Sequence, residues 1–199
     1  GVTTALMGNC GVGFAPVHDH DHDRLISLME GVEDIPDVVL TEGLEWNWNS
    51  FSDYLNILDN KGFDMDIGAQ IPHGALRLYV MGQRGADRES ATEDDIKKMA
   101  ELSAEAIENG AIGFTTSRTV FHKTSKGELV PSFDAAGNEL IQIAKEIGKT
   151  GKGVLQLVSD FLGGYDEFKM LEKMVEESGC PISITLAQTD GTKYDYKDL

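Results

Sequence analysis

Four side chains in this sequence have the type and setting to do chemistry: Cys10, His73, Arg118 and Asp160. Cys10 sits in Met7-Gly8-Asn9-Cys10-Gly11-Val12-Gly13, directly after an apolar, β-branched run. A thiol delivered there can act as a nucleophile or bind a soft metal ion as thiolate. The glycines at 8, 11 and 13 let backbone or ligand come close, a freedom a plain core cysteine would not need. The competing reading is a small buried apolar residue. His73 follows Pro72 and precedes Gly74, where it can hold a loop through the backbone or touch a substrate. Arg118 ends Thr115-Thr116-Ser117-Arg118, and its planar fork can clamp a carboxylate or make a surface ion pair. Asp160 suits a metal ligand or a general base, or it caps the turn into Phe161-Leu162-Gly163-Gly164.

Two other features are better explained by structure. Cys180 stands beside Pro181 and precedes a strand, which places it at the opposite end of a sheet from Cys10. His18-Asp19-His20-Asp21-His22-Asp23 alternates potential metal donors, but it lies past Pro16 and leads into the helical pattern Leu25, Ile26, Leu28, Met29. A solvated helix N-terminus with Asp caps is expected there.

The elements that must position these residues alternate. Strands are expected at 2–7, 65–71, 111–115, 153–158 and 182–186. Ser50-Phe51-Ser52-Asp53 has the spacing of a capping box, and Phe51, Tyr54, Leu55 and Leu58 form one face behind it. Thr92-Glu93-Asp94-Asp95 opens a second helix with an acidic first turn, which suits the positive end of the helix dipole. Ile96, Met99, Ala100, Ser103, Ala106 and Ile107 follow at helical spacing, and Gly110 stops the pattern. Helices are also expected at 138–147 and 166–177. Strands that are apolar on both faces, joined by crossover helices, mean a parallel sheet covered by helices. A β/α barrel needs eight such units and about 250 residues. About five are present, so the expected fold is α/β: a partial TIM-like (β/α) barrel over 1–199, missing strands at both ends, from a longer chain. A doubly wound open sheet is the alternative, and the lack of G-x-G-x-x-G after a strand weighs against its dinucleotide-binding form. In a barrel, function gathers at the C-terminal ends of strands, here Asn9-Cys10, Gln70 to His73, Thr116-Ser117-Arg118, Ser159-Asp160 and Gln188-Thr189-Asp190.

The chain has 199 residues, is 41% hydrophobic and carries a formal net charge of −17. That charge repels phosphates and anionic lipid, so neither nucleic acid nor a membrane is the expected partner. No apolar run approaches the roughly 18 residues of a membrane span. Two cysteines, at 10 and 180, provide no disulfide framework and no C-x-x-C zinc pattern. A cytoplasmic location is expected.

Residues 1–16, Gly1-Val2-Thr3-Thr4 through Met7-Gly8-Asn9-Cys10-Gly11-Val12-Gly13-Phe14-Ala15-Pro16, closely resemble the N-acyl-D-amino-acid deacylase (D-aminoacylase) branch of the amidohydrolase superfamily. The resemblance continues in His73-Gly74-Ala75-Leu76-Arg77, Met81-Gly82 and Gly110-Ala111-Ile112-Gly113-Phe114-Thr115-Thr116-Ser117. It implies a metal-dependent hydrolase of non-peptide C–N bonds. One or two divalent ions, zinc by expectation, would polarise the carbonyl and activate water. It also implies that Cys10 is a metal ligand; His73, Arg118 and Asp160, from their strand-end positions, are then expected to line the substrate site of a small-molecule amide, with Arg118 or Arg77 binding a substrate carboxylate. The family's His-x-His pair and catalytic aspartate would lie on strands before residue 1 and after residue 199. Two further histidines are expected after the strands at 153–158 and 182–186, where Ser159-Asp160 and Ala187-Gln188 stand instead. Either one metal is held or other ligands, Asp160 among them, replace the histidines. The 199 residues alone are therefore expected not to hydrolyse an amide. The alternatives are a catalytically silent barrel piece acting as a binding module, and an amidohydrolase acting on a cyclic amide.

Overall fold

The computed structural model describes residues 1–162 and 165–185. In chain order the elements are β1 (Thr4–Met7), α1 (His22–Glu33), α2 (Asp37–Gly43), α3 (Phe51–Asn60), β2 (Asp66–Pro72), α4 (His73–Met81), α5 (Gln83–Ala86), α6 (Glu93–Glu108), β3 (Gly113–Arg118), α7 (Gly137–Gly148), β4 (Val154–Ser159), α8 (Tyr165–Ser178) and β5 (Ile182–Thr185). The five strands form one sheet in the order β1-β2-β3-β4-β5, every pair parallel. A doubly wound sheet reverses its order at a switch point. Here each strand lies next to its predecessor, with helices in every connection, as in the wall of a β/α barrel. The partial barrel expected from the sequence is the fold found.

The two faces of the sheet differ. Leu155 and Leu157 of β4 are fully buried in the same core as Leu140, Ile143 and Ile147 of α7. Val154, Gln156 and Val158 alternate with them and are half-buried or exposed. Thr115 pairs with Gln156 and Gln70 pairs with Gly113, so these residues share the face opposite the helices. That face carries an amide ladder: Gln70 Nε2 donates to Asn9 Oδ1 at 2.8 Å and to Gln156 Oε1 at 3.2 Å. Gly113 lets the ladder cross β3, since a Cβ there would lie 3.0 Å from Gln70 Oε1 and 2.2 Å from the Val154 carbonyl.

Both expected capping boxes form. Ser50 Oγ accepts from the Asp53 amide at 3.0 Å and Thr92 Oγ1 from the Asp95 amide at 3.2 Å, and each aspartate returns a bond to its cap's backbone. Element bounds move by only a few residues: β3 begins at Gly113 rather than 111 and runs on to Arg118. The end of the strand at 182–186 and Gln188-Thr189-Asp190 lie outside the described residues.

The His/Asp run is a correction. Asp21 occupies the N-cap of α1 but makes no side-chain cap; its carboxylate is buried and accepts from Arg24 Nη1 at 2.8 Å. His18 stacks on Tyr79 with centroids 4.1 Å apart, and His22 stacks on Trp46 at 4.0 Å. These two rings pack as aromatic surface, while Asp19, His20 and Asp23 are exposed, so the run is a helix start solvated on one side only.

Replacing Thr92 with Ala removes the cap of α6. The expected loss is about 1 kcal/mol of stability, read as a lower urea midpoint with an unchanged slope.

Candidate active site at the strand ends

After β1 the chain makes one tight turn, Asn9–Gly11, with left-handed backbone at Gly8 (φ 87°), Cys10 (φ 61°) and Gly11 (φ 71°). Gly8 and Gly11 are sterically required. A Cβ at 8 would lie 2.3 Å from the Gln70 carbonyl, and one at 11 would lie 2.9 Å from Thr116 Cα and the Ser117 amide. The turn is thus pressed onto β2 and β3. Cys10 has no such freedom, and holding it at positive φ costs about 1 kcal/mol. Strain of this kind persists where the surroundings over-determine the backbone.

The Cys10 thiol is half-buried and unpaired with Cys180. Burial pushes its pKa up, and the Glu33 carboxylate pushes the same way. A nearby cation reverses that logic by stabilising thiolate. Cys180, by contrast, is a buried core residue ahead of β5, with Sγ 3.7 Å from the Lys152 carbonyl.

The ends of β3 and β4 bring Arg118 and Asp160 together. The Asp160 amide donates to the Arg118 carbonyl at 3.4 Å. Asp160 holds the loop after β3: Oδ1 accepts from Thr119 Oγ1 at 2.5 Å and Oδ2 from the Val120 amide at 2.7 Å. Its alternative role as cap of its own turn falls to Ser159, whose Oγ accepts from the Phe161 amide at 2.9 Å. Arg118 Nε donates to Glu167 Oε1 at 2.8 Å and Nη1 to the Ala135 carbonyl, leaving its side chain 24% exposed. The ion pair is thus made inward to α8 rather than on the surface.

His122 also belongs here and was missed by the sequence reading. It lies four residues past Arg118, with Nδ1 2.7 Å from Ser117 Oγ. Burial lowers its pKa, while the carboxylates of Glu33 and Asp160 oppose that. Glu33 therefore acts on both Cys10 and His122. The available signal was the one applied to His73, a histidine shortly after a strand.

His73 itself points elsewhere. β2 runs straight into α4, so His73 opens a helix rather than a loop. It is fully buried, with Nδ1 2.8 Å from Thr116 Oγ1 and Nε2 2.7 Å from Glu139 Oε1. Both ring nitrogens are taken, so the expected contact with substrate is not what this geometry offers. Arg77, one turn on in α4, donates from Nη1 to both Glu139 oxygens at 2.5 Å and from Nη2 to the Glu89 carbonyl at 2.6 Å. Burial dominates at His73 and keeps its pKa low, against the pull of Glu139. Burial also works against the Glu139 carboxylate, but the bonds and charges of His73 and Arg77 together prevail and lower its pKa. The consistent assignment is neutral His73 with hydrogen on Nε2 donating to ionised Glu139, and Thr116 Oγ1 donating to Nδ1.

Cys10 fits one position of a soft metal site: a half-buried sulfur at a strand end that a cation would ionise. Among the described residues no group of three or more His, Cys, Asp or Glu side chains converges as a complete cage.

A sequence profile described as "Amidohydrolase family" matches residues 1–197. The D-aminoacylase of Alcaligenes xylosoxydans xylosoxydans is 28% identical over 151 residues, covering 76% of this chain and 26% of that protein. Among solved structures, a D-aminoacylase studied for its binuclear metal centre, with one-metal activation and second-metal attenuation, superposes with a TM-score of 0.64 at 29% identity. The match covers 92% of this chain and 34% of that one. The N-acyl-D-glutamate deacylase of Bordetella bronchiseptica, complexed with zinc and a phosphonate inhibitor, gives the same TM-score and coverage at 20% identity, a likeness of fold. The chain spans about a quarter of the length of the curated D-aminoacylase it matches.

The buried network has two measurable consequences. Arg77→Met leaves the Glu139 charge buried without its main partner and should cost about 3–5 kcal/mol, with much of that recovered by adding Glu139→Gln; denaturant titration of the single and double variants checks this. Because the folded pKa of His73 is lowered, its contribution to stability is fully present above the ordinary histidine value of about 6.5 and is lost as pH falls below it. Melting temperature should drop between about pH 7 and pH 5.5, and His73→Gln should flatten that slope.

Proposed function

Since the chain belongs to the amidohydrolase family, we propose that it carries strand ends of the active site of a metal-dependent hydrolase acting on N-acyl-amino acids, of the D-aminoacylase kind. The observation that supports this most is the Cys10 turn. A thiol held at positive φ in a turn with Gly8 and Gly11, pressed onto the ends of β2 and β3, supports a ligand role over simple packing. The similarity to D-aminoacylase favours an N-acyl-D-amino acid as substrate over a cyclic amide.

Cys10 would supply one thiolate ligand to a zinc ion. When bound, that ion supplies Lewis-acid polarisation of the acyl carbonyl and activation of the attacking water. Asp160, which follows β4 where a histidine is expected, is the candidate for a second ligand, and in the present geometry it holds residues 119 and 120 in place. Arg118 is the candidate partner for the substrate's carboxylate. A guanidinium carries five N–H donors, and Glu167 with the Ala135 carbonyl use only part of that set. Glu167 also fixes the direction of the fork, because Ser159 Oγ donates to the same Oε1 at 2.6 Å. His73 works from behind the sheet, holding β3 through Thr116.

A one-metal site is the simpler reading. The histidine expected after β4 is replaced by Ser159-Asp160, and the D-aminoacylase structure is described as activated by one metal. The second reading, a catalytically silent binding module, is favoured by Ser159-Asp160 standing where a histidine ligand is expected. The acidic charge of −17 suits a small-molecule substrate rather than nucleic acid. No described helix is long and apolar enough to cross a membrane. Two unpaired thiols suit a reducing compartment, the cytoplasm.

The test is metal content and turnover of the native gene product. It should bind zinc and release the amino acid from N-acyl-D-amino acids faster than from the L forms. Cys10→Ala should lose zinc affinity and turnover by about 100-fold or more. Unchanged zinc content in Cys10→Ala removes Cys10 from the site, and zinc binding with no turnover of any amide supports the silent module.

A further inference from the structure

The turn that displays Cys10 is tied to the sheet by two side chains outside it: Gln70 holds the Asn9 side chain, and Thr115 holds the backbone. Thr115 Oγ1, fully buried on the ladder face of β3, accepts from the Gly11 amide at 3.0 Å and donates to the Gly8 carbonyl. Those two groups flank Asn9-Cys10, the carbonyl just before the pair and the amide just after it. One hydroxyl thus joins both ends of the turn and uses its hydrogen and a lone pair in doing so. Thr115 is therefore not a substrate contact, although its position near the end of a barrel strand would suggest one.

From this we infer that Thr115 is a positioning residue for the Cys10 ligand, acting through the backbone on either side of the thiol. The reasoning is geometric. Cys10 sits at φ 61°, a conformation a cysteine left to itself would leave. The steric fit of Gly8 and Gly11 against β2 and β3 stops the turn from moving inward. It does not stop the turn from lifting off, which the Thr115 hydroxyl does. The next residue is a natural control. Thr116 is equally buried but turns its hydroxyl to the opposite face, onto His73 Nδ1. Loss of the Thr116 hydroxyl should cost stability without reaching the turn; loss of the Thr115 hydroxyl should reach Cys10.

The metal part of this inference rests on Cys10 being a ligand, so the test has one arm with zinc and two without. In the native gene product, Thr115→Val should weaken zinc binding about tenfold or more, as removal of a residue that orients a ligand does. Without metal, it should raise the rate of iodoacetamide labelling at Cys10 several-fold, read by peptide mass spectrometry. Thr115→Ser should stay within about twofold of wild type in both. Thr116→Val should lower the melting temperature and leave both unchanged. A variant-free arm covers the case in which Thr115→Val does not fold: the Gly11 amide of the wild type should exchange with deuterium as slowly as strand amides. Wild-type labelling in Thr115→Val, or Gly11 exchange at the rate of an open loop, overturns the inference. If Cys10→Ala keeps its zinc, the ligand reading fails instead, and labelling and Gly11 exchange still decide whether Thr115 holds the turn.

Discussion

Glu139 is an ionised carboxylate that water does not reach, and the strand carrying most of the site is held by what surrounds it. The side chains of Glu139, His73 and Arg77 are at most 1% exposed. A charge in that position is tolerable only when its oxygens are fully bonded, and both are, by Arg77 from α4 and by the imidazole of His73. Glu139 also lies in the first turn of α7, where the helix dipole favours an anion. Through Thr116 the same network grips β3. Two helices and a strand are thus locked by one buried charge whose partners cannot be removed singly without leaving it unpaired.

β3 passes that constraint to the other side of the sheet. Its side chains alternate between two tasks: Phe114 and Thr116 face the network, while Thr115 faces the Cys10 turn. At its end, Ser117 bonds His122, and Arg118 reaches Glu167 on α8. Nearly every residue of the strand is buried, so its register is fixed from both faces. A rigid strand with a strained turn pressed on its end is a suitable base for a ligand that must be held in a fixed direction.

Membership of the amidohydrolase family sets the chemistry within which these residues are to be understood, and the local pattern departs from it in a definite way. The expected histidine after β4 is absent, and Asp160 in its place is occupied with residues 119 and 120. Cys10 is the ligand candidate retained, and its turn has the most demanding backbone in the site, with three left-handed residues in four. In the proposed function the thiol, rather than a histidine cluster, is the element around which this part of the site is organised.

Much of this was legible in the residues alone. Short apolar runs placed the five strands, helical spacing placed helices between them, and S-x-x-D and T-x-x-D spacing marked the two boxed helices, because these are local effects of backbone geometry and capping. The separation of Cys10 from Cys180 also followed from chain order, since parallel strands all carry their C-terminal ends to one side. What the sequence could not decide was which groups meet across the fold. His73 reads as a loop residue after a proline, yet β2 enters α4 without a loop and turns the ring into the core. Glu139 carried no sequence signal, yet it is the anion that His73 and Arg77 enclose. The His/Asp run reads as polar caps, yet its rings stack on Tyr79 and Trp46. Each of these outcomes depends on partners 24 to 66 positions away, and periodicity carries no information over such separations. The opening motif specified that a cysteine would stand at a strand end; the packing of that turn on β3, through Thr115 and Gly11, decided how it is held there.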